Sequence, residues 1–409
     1  MEDSYTYADL PTSDEESDAS VRLGSLDAYR GIAMFLMVAE ALHLCDVAEY
    51  FQDQGSPSRI WNWLCLHQSH VSWVGCTLHD MIQPSFTFMV GVALPFSLAS
   101  RRKKGQSIGW LTAHAFWRAT LLVFLGIFLR SSGSITNFTF DDTLTQIGLG
   151  YGFLFILGQF SKRSHWIWLF VILFGYWAAF AIYPAPTDGY DYKAVGVSED
   201  WPHLMEGFES HWNKNSNLAH AVDVWWMNLF PRESPFTHSG GGYHTLSFIP
   251  TLATMIMGLI AGGIIRMYYS HGQKICWLVL IGVLFLFAGY GLELSGLCPL
   301  VKRIWTPSWA LYSGGWCFII LATLYLLIDV IGLRALAFPF IVIGMNSIAI
   351  YCMSWTVESY IHDALYRHFG WLIGSVGEPY EGVVAGGLVV AIMWLILLWM
   401  YRRKVFLRI

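Results

Sequence analysis

Long apolar runs alternate with short polar connections from residue 31 to the end of the chain. A run of about 20 apolar residues can cross a hydrocarbon core. Ten such spans are predicted, near 31–50, 81–100, 111–129, 144–160, 166–183, 245–265, 275–292, 307–330, 338–353 and 383–401. The pattern predicts an all-α, polytopic integral membrane protein with about ten helices in one bundle. Residues 1–21 are polar and acidic, so they read as a solvated, disordered tail without a cleavable signal peptide. Residues 22–409 then form one membrane domain that includes a long segment at 184–244.

Lys and Arg clusters in short connections mark the cytosolic side of a bilayer. Arg101-Arg-Lys-Lys104, Lys162-Arg163, Arg266 with Lys274, and Arg402-Arg-Lys404 all fall on one side of the predicted weave. Both termini are therefore expected in the cytoplasm, with the loops 51–79, 184–244 and 356–380 on the outer face. Lys302-Arg303 is the exception, a basic pair on the wrong side. No period of 20 to 50 residues and no inverted repeat accompanies this pattern.

Composition agrees with the membrane class: of 409 residues 55% are hydrophobic and 13% charged, with 20 Trp, whereas soluble domains carry about 25% charged residues. The net charge of −5 comes largely from the first 18 residues, and nothing resembles a nucleic-acid surface. The seven cysteines have no zinc spacing. They read as small apolar residues, with a Cys65–Cys76 disulfide open if their loop faces an oxidising compartment.

Chemistry concentrates in His67 to Ser97, where His67, His70, His79 and Asp80 precede an apolar span. Ionisable groups beside or within a bilayer are costly and tend to line a polar cavity or a reaction site. Histidine suits a general base because its unperturbed pKa lies near neutrality, and a carboxylate such as Asp80 or Glu40 could hold one ring nitrogen. The same cluster could instead ligate a metal, but His-Glu-x-x-His is absent and no metal is expected. Glu40 and His43 share one turn of the first span. Arg30 and Arg118 suit phosphate oxygens, with Arg118 also able to pair with Asp27. Gln146 and Asn346 are amides within apolar runs, suited either to helix packing or to a ligand. In the outer segment, Asn217 and Asp223 alternate with Trp212, Trp225 and Trp226, a mixture that fits a sugar platform or an interfacial belt. Asn137-Phe-Thr139 is a glycosylation sequon on the outer face.

Several of these motifs match a known pattern in order. Arg22-Leu-Gly-Ser-Leu-Asp27-Ala-Tyr-Arg30-Gly31 resembles the start of the first span of the heparan-alpha-glucosaminide N-acetyltransferase family. His70-Val-Ser-Trp73-Val-Gly75-Cys-Thr77-Leu-His-Asp80 with Pro84-Ser-Phe86 is similar to its His-x-x-Trp-x-Gly-x-Thr-x-x-Asp motif. Trp117-Arg118, Gln146-Ile-Gly148 and Gly344-Met-Asn346-Ser-Ile348 resemble further signatures, so the likeness runs from Arg22 to about Leu365. It implies an acyltransferase that moves acetyl from cytosolic acetyl-CoA to an amine or hydroxyl, expected on a sugar or glycan, at the outer face. His70 is then the base or a transient acetyl carrier, with Asp80 and Glu40 as catalytic partners. Arg30, Arg118, Gln146 and Asn346 are expected to hold the co-substrate, and His67, His79, Asn217 and Asp223 the acceptor. Two departures lie on the acceptor side: Ala41 stands at a family asparagine, and 240–245 reads Gly-Gly-Gly-Tyr-His-Thr.

Membrane lipid and a glycan are the expected partners, nucleic acid is excluded, and a homodimer is left open. The membrane would be the plasma or inner membrane in a bacterium and a lysosomal-type membrane in a eukaryote. The rival functions are a transporter and an inactive member of the same scaffold. Gly91, Gly126 and Gly258 interrupt spans without giving the paired broken helices that a transporter would need.

Overall fold

The computed structural model describes residues 23–407; the expected acidic tail at 1–21 lies outside them. The described residues fold into helices: α1 (Gly24–Val38), α2 (Leu44–Asp53), α3 (Arg59–Gln68), α4 (Ile82–Lys103), α5 (Ile108–Leu129), α6 (Thr143–Leu157), α7 (Lys162–Ile182), α8 (Leu218–Trp226), α9 (Phe248–Ile265), α10 (His271–Leu294), α11 (Pro307–Leu324), α12 (Arg334–Met345), α13 (Ser347–Thr356), α14 (Glu358–Gly374) and α15 (Glu381–Arg402). Among them, seven helices are long and apolar enough to cross a membrane, or nine if each of two bent pairs is one span; α6 is apolar but shorter. The protein is an all-α polytopic membrane protein.

Helix α9 is buried from Pro250 to Ile265 and packs against α4, α6, α7 and α11. A helix apolar on every side belongs at the centre of a bundle. By contrast α5, α7, α10 and α15 expose large apolar side chains, among them Phe128, Phe170, Phe287 and Trp399. That suits faces turned toward lipid, since lipid imposes no penalty on them.

The glycines read as interruptions do not break their helices. A Cβ at Gly91 would lie 1.9 Å from the Met255 carbonyl oxygen, and one at Gly258 would lie 1.9 Å from that of Phe88. Missing side chains there let α4 and α9 touch backbone to backbone. The real breaks are elsewhere. The first predicted span bends by 41° and the ninth by 66°. The first bend is at His43, whose φ is +49°, and the second at Asn346, between α12 and α13. Irregular backbone at membrane depth is tolerated where it lines a cavity. The segment 356–380, predicted as a loop, is largely helix α14.

Cysteine pairing differs from the expectation. Cys45 on α2 is bonded to Cys65 on α3, Cα to Cα 4.5 Å, while Cys76 is free. Burial, helped by the nearby Asp80 charge, pushes the Cys76 thiol up to about 12. The sequence favours seven unpaired apolar cysteines and leaves only a Cys65–Cys76 bond open, whereas α2 and α3 pack as a hairpin that brings Cys45 to Cys65. Closing a loop of 20 residues constrains the unfolded chain by about 3 kcal/mol. We expect Cys45→Ser with Cys65→Ser to lower the melting midpoint by several degrees. Non-reducing peptide maps should recover a 45–65 crosslink and an alkylatable Cys76; a 65–76 crosslink would contradict the structure.

Candidate active site

The motif around His70 folds as a short loop in which each distinctive residue has a separate physical task. Trp73 is fully buried and donates its indole N–H to the Trp212 carbonyl at 3.1 Å, anchoring the loop under the outer segment. Gly75 has φ +121°, a conformation that side-chain-bearing residues avoid, and donates its N–H to the Leu300 carbonyl at 3.0 Å. Thr77 gives its backbone N–H (3.1 Å) and hydroxyl (2.9 Å) to Asp80 Oδ2. Asp80 Oδ1 lies 2.8 Å from His70 Nδ1. The Asp80 side chain has no exposure, whereas His70 keeps 37%.

A third member joins from a distant part of the chain. Val74 and Val301 form an antiparallel bridge, which with the Gly75–Leu300 bond carries the connection between α10 and α11 against the histidine loop. Lys302 Nζ then sits 3.0 Å from His70 Nδ1 and 3.2 Å from Asp80 Oδ1, 232 residues away from the histidine in sequence. Arg303 donates to the carbonyls of Gly241 and Val71 and lies over the Tyr243 ring at 5.1 Å, clamping both loops. The basic pair on the unexpected side is thus part of the site, with Lys302 buried and Arg303 half-buried. Burial pulls Lys302 down to about 8 against the opposing pull of Asp80.

The proton arrangement follows from this geometry. Asp80, ionised, accepts from His70 Nδ1–H and from Lys302, which leaves the Nε2 lone pair as the ring's basic atom. His70 and Lys302 line a cavity of about 580 Å³, as do Glu40, Ala41, His79 and Arg130. Ala41 supplies no amide here; the neutral polar donors that line the cavity include Gln83, Thr143, Tyr243, Tyr351 and Ser354.

A second cavity of about 610 Å³ is lined by Arg30, Arg101, His114, Trp117, Arg118 and Tyr151. The two adjoin along shared helices: Thr143 lines one and Leu144 the other, Gln83 one and Phe86 the other, Tyr351 one and Ile348 the other. On α4, Gln83 and Arg101 are 18 residues apart, or about 27 Å, close to the thickness of a hydrocarbon core.

The predicted site residues divide. His70 and Asp80 come together, joined by the unpredicted Lys302, and Arg30 and Arg118 line the basic cavity, with Arg118 3.2 Å from the Tyr151 hydroxyl and Arg30 3.7 Å from Asp27. His79 packs against His70, with centroids 4.4 Å apart and ring planes tilted by 60°. Glu40 is 4.0 Å from His79 Nε2 with its side chain 75% exposed, so Asp80 and not Glu40 holds the His70 ring. His67 accepts from the Leu78 N–H and packs on Trp63, away from both cavities. Gln146 is buried and bonded to the carbonyls of Phe140, His244 and Thr245, tying α6 to the outer segment. Asn346 bonds Val405 and Leu407, fixing the C-terminal strap over the α12–α13 break. Asn217 caps α8, and Asp223 holds buried His244 and the Thr245 N–H. These four amide and carboxylate side chains are structural in their contacts and line neither cavity. Lys302 was the residue missed; its only signal was a basic pair on the side where basic residues are scarce.

The fold and this cluster define a polytopic helical membrane protein with an Asp–His pair beside a cavity lined by helix ends. Among the described residues, no group of three or more His, Cys, Asp or Glu side chains could hold a metal ion. No family model matches the sequence. The chain is 24% identical to human heparan-alpha-glucosaminide N-acetyltransferase over 429 residues, 95% of this chain and 60% of that protein. It is 24% identical to the mouse protein of the same name over 441 residues, 98% of this chain and 62% of that one. The chain is a distant homologue of these transferases and spans about 60% of their length.

Proposed function

We propose that this protein is a transmembrane acetyltransferase that takes acetyl from acetyl-CoA on the cytosolic side and passes it to an amine or hydroxyl, on a sugar, at the outer face. The observation that carries the reading is the His70–Asp80–Lys302 cluster at one end of two adjoining cavities whose other end is rimmed by arginines. His70 Nε2 accepts the acceptor's proton as the nucleophile attacks the thioester carbonyl. Asp80 fixes the ring and offsets the charge it gains. Arg30, Arg101 and Arg118 suit the phosphates of CoA, and Trp117 and Tyr151 offer flat surfaces beside them.

Orientation follows from two independent features. The Arg101–Lys104 run at the end of α4 marks the cytosol, and the Cys45–Cys65 disulfide at the opposite end suits an oxidising compartment. Residues 22–409 act as one catalytic domain in this reading. The transporter alternative gains two broken helices from the structure, but they do not converge on a midplane site: His43 lines the outer cavity, and Met345 and Ser347, flanking the other break, line the basic one. We expect CoA at 100 times its dissociation constant to stabilise the protein by about 2.7 kcal/mol, read as a raised melting midpoint in nanodiscs, and Arg118→Gln to shrink that rise. Solute flux without any CoA-dependent shift would favour the transporter and end this proposal.

A further inference from the structure

The two cavities differ sharply in charge. Three arginines line the basic one, and no Asp or Glu among the described residues does. The outer one is lined by Glu40, Asp141, Asp142 and Glu358 against Arg130 and Lys302. Lys302 is already paired with Asp80 at 3.2 Å; Arg130 is near Asp142, whose carboxyl burial raises while the Thr145 hydrogen bond and the Arg130 charge partly oppose. Arg130 also lies flat over Trp355 at 4.1 Å.

Glu40, Asp141 and Glu358 remain. Among the described residues, none of the three has a Lys or Arg side chain within ion-pair distance; Glu40 has the His79 ring at 4.0 Å, and Asp141 accepts the Thr139 hydroxyl at 2.6 Å. Burial, and next the facing Glu40 charge, raises Glu358, with His43 and His362 partly opposing. Two carboxylates that repel across a cavity favour a ligand that brings a cation between them. A ligand with several negative charges meets the opposite field.

We propose that the acceptor is a cationic amine on a small body free of negative charge, such as an unsulfated amino sugar, and that Glu40, Asp141 and Glu358 select it. This rests on the acetyl-transfer reading of the same cavity. The ammonium is drawn in by the carboxylates and gives one proton to solvent, which leaves the neutral amine. The N–C bond then forms, the C–S bond breaks, and the second nitrogen proton passes to His70 and on to the departing thiolate.

The test uses the full chain in nanodiscs with radiolabelled acetyl-CoA and three amines: glucosamine, glucosamine 6-sulfate and a sulfated oligosaccharide ending in glucosamine. Glucosamine should be preferred over both sulfated acceptors by at least about tenfold in kcat/KM, and the preference should widen as salt is lowered. Glu358→Gln should raise KM for glucosamine about fivefold, with kcat and the CoA-induced thermal shift unchanged, and should narrow the preference. Asp141→Asn serves as the second variant should Glu358→Gln lose its fold. Equal or better use of the sulfated acceptors overturns the inference, as does an unchanged KM in the folded variants or transfer to none of the three amines. Absence of the CoA-induced shift as well overturns the acetyl-transfer reading itself, which separates the two failures.

Discussion

His70→Ala is expected to lower acetyl transfer by at least about 10³-fold while leaving the melting midpoint and the CoA-induced shift close to those of the unaltered protein. General base catalysis contributes about 10² to 10⁴, and no second imidazole is placed to replace this one: His79 contacts Glu40 and not Asp80. Structural damage is expected to be small because the His70 side chain is 37% exposed, so its removal opens no sealed void. Asp80 would also keep Lys302, Thr77 and Val71 as partners. Rapid-quench labelling with radioactive acetyl-CoA in the absence of acceptor distinguishes two roles for the same ring. A labelled His70 peptide identifies an acetyl carrier, and its absence alongside undiminished transfer identifies a direct base. Transfer that survives in a folded His70→Ala protein removes the residue from the mechanism.

The parts of this molecule that could be read from sequence are those governed by local pattern. Apolar runs placed nearly every membrane helix because a spanning helix satisfies its own backbone and needs no distant partner. His70 and Asp80 were legible because they sit ten residues apart in one recognisable motif. What escaped depended on chain reversals. Cys45 meets Cys65 only because α2 and α3 fold back on each other. The breaks at His43 and Asn346 carry no proline or glycine at the break itself, so propensity gave no warning of them. Gln146, Asn217, Asp223 and Asn346 look chemically poised in one dimension, yet each bonds backbone groups inside the protein, with Asp223 also holding the His244 ring, and none lines either cavity. Sequence also pointed to Glu40 as a partner of His70, while the fold turns it toward the cavity and to within 4.0 Å of His79.

Lys302 yields the sharpest remaining expectation, because it lies against the atom of His70 opposite the one that does chemistry. At 3.0 Å from Nδ1, a charged ammonium opposes the positive charge that His70 acquires in the transition state. At an effective dielectric constant near 20, one unit charge at that distance is worth about 5 kcal/mol, and even a quarter of this changes a rate roughly tenfold. Burial brings Lys302 down to about 8, so the ammonium is present below pH 8 and lost above it. Above pH 8, Asp80 is left to balance the imidazolium alone. The rate of transfer should therefore rise as pH passes from 7 to 9. An amine acceptor also loses its proton in this range, but that titration is common to every variant and cancels in a ratio. In Lys302→Arg the guanidinium stays charged throughout, so the ratio of its kcat to that of the unaltered protein should fall about tenfold between pH 7 and pH 9. A lysine that merely filled space would give a ratio independent of pH, and that flat line would show that the Lys302 charge takes no part in the reaction.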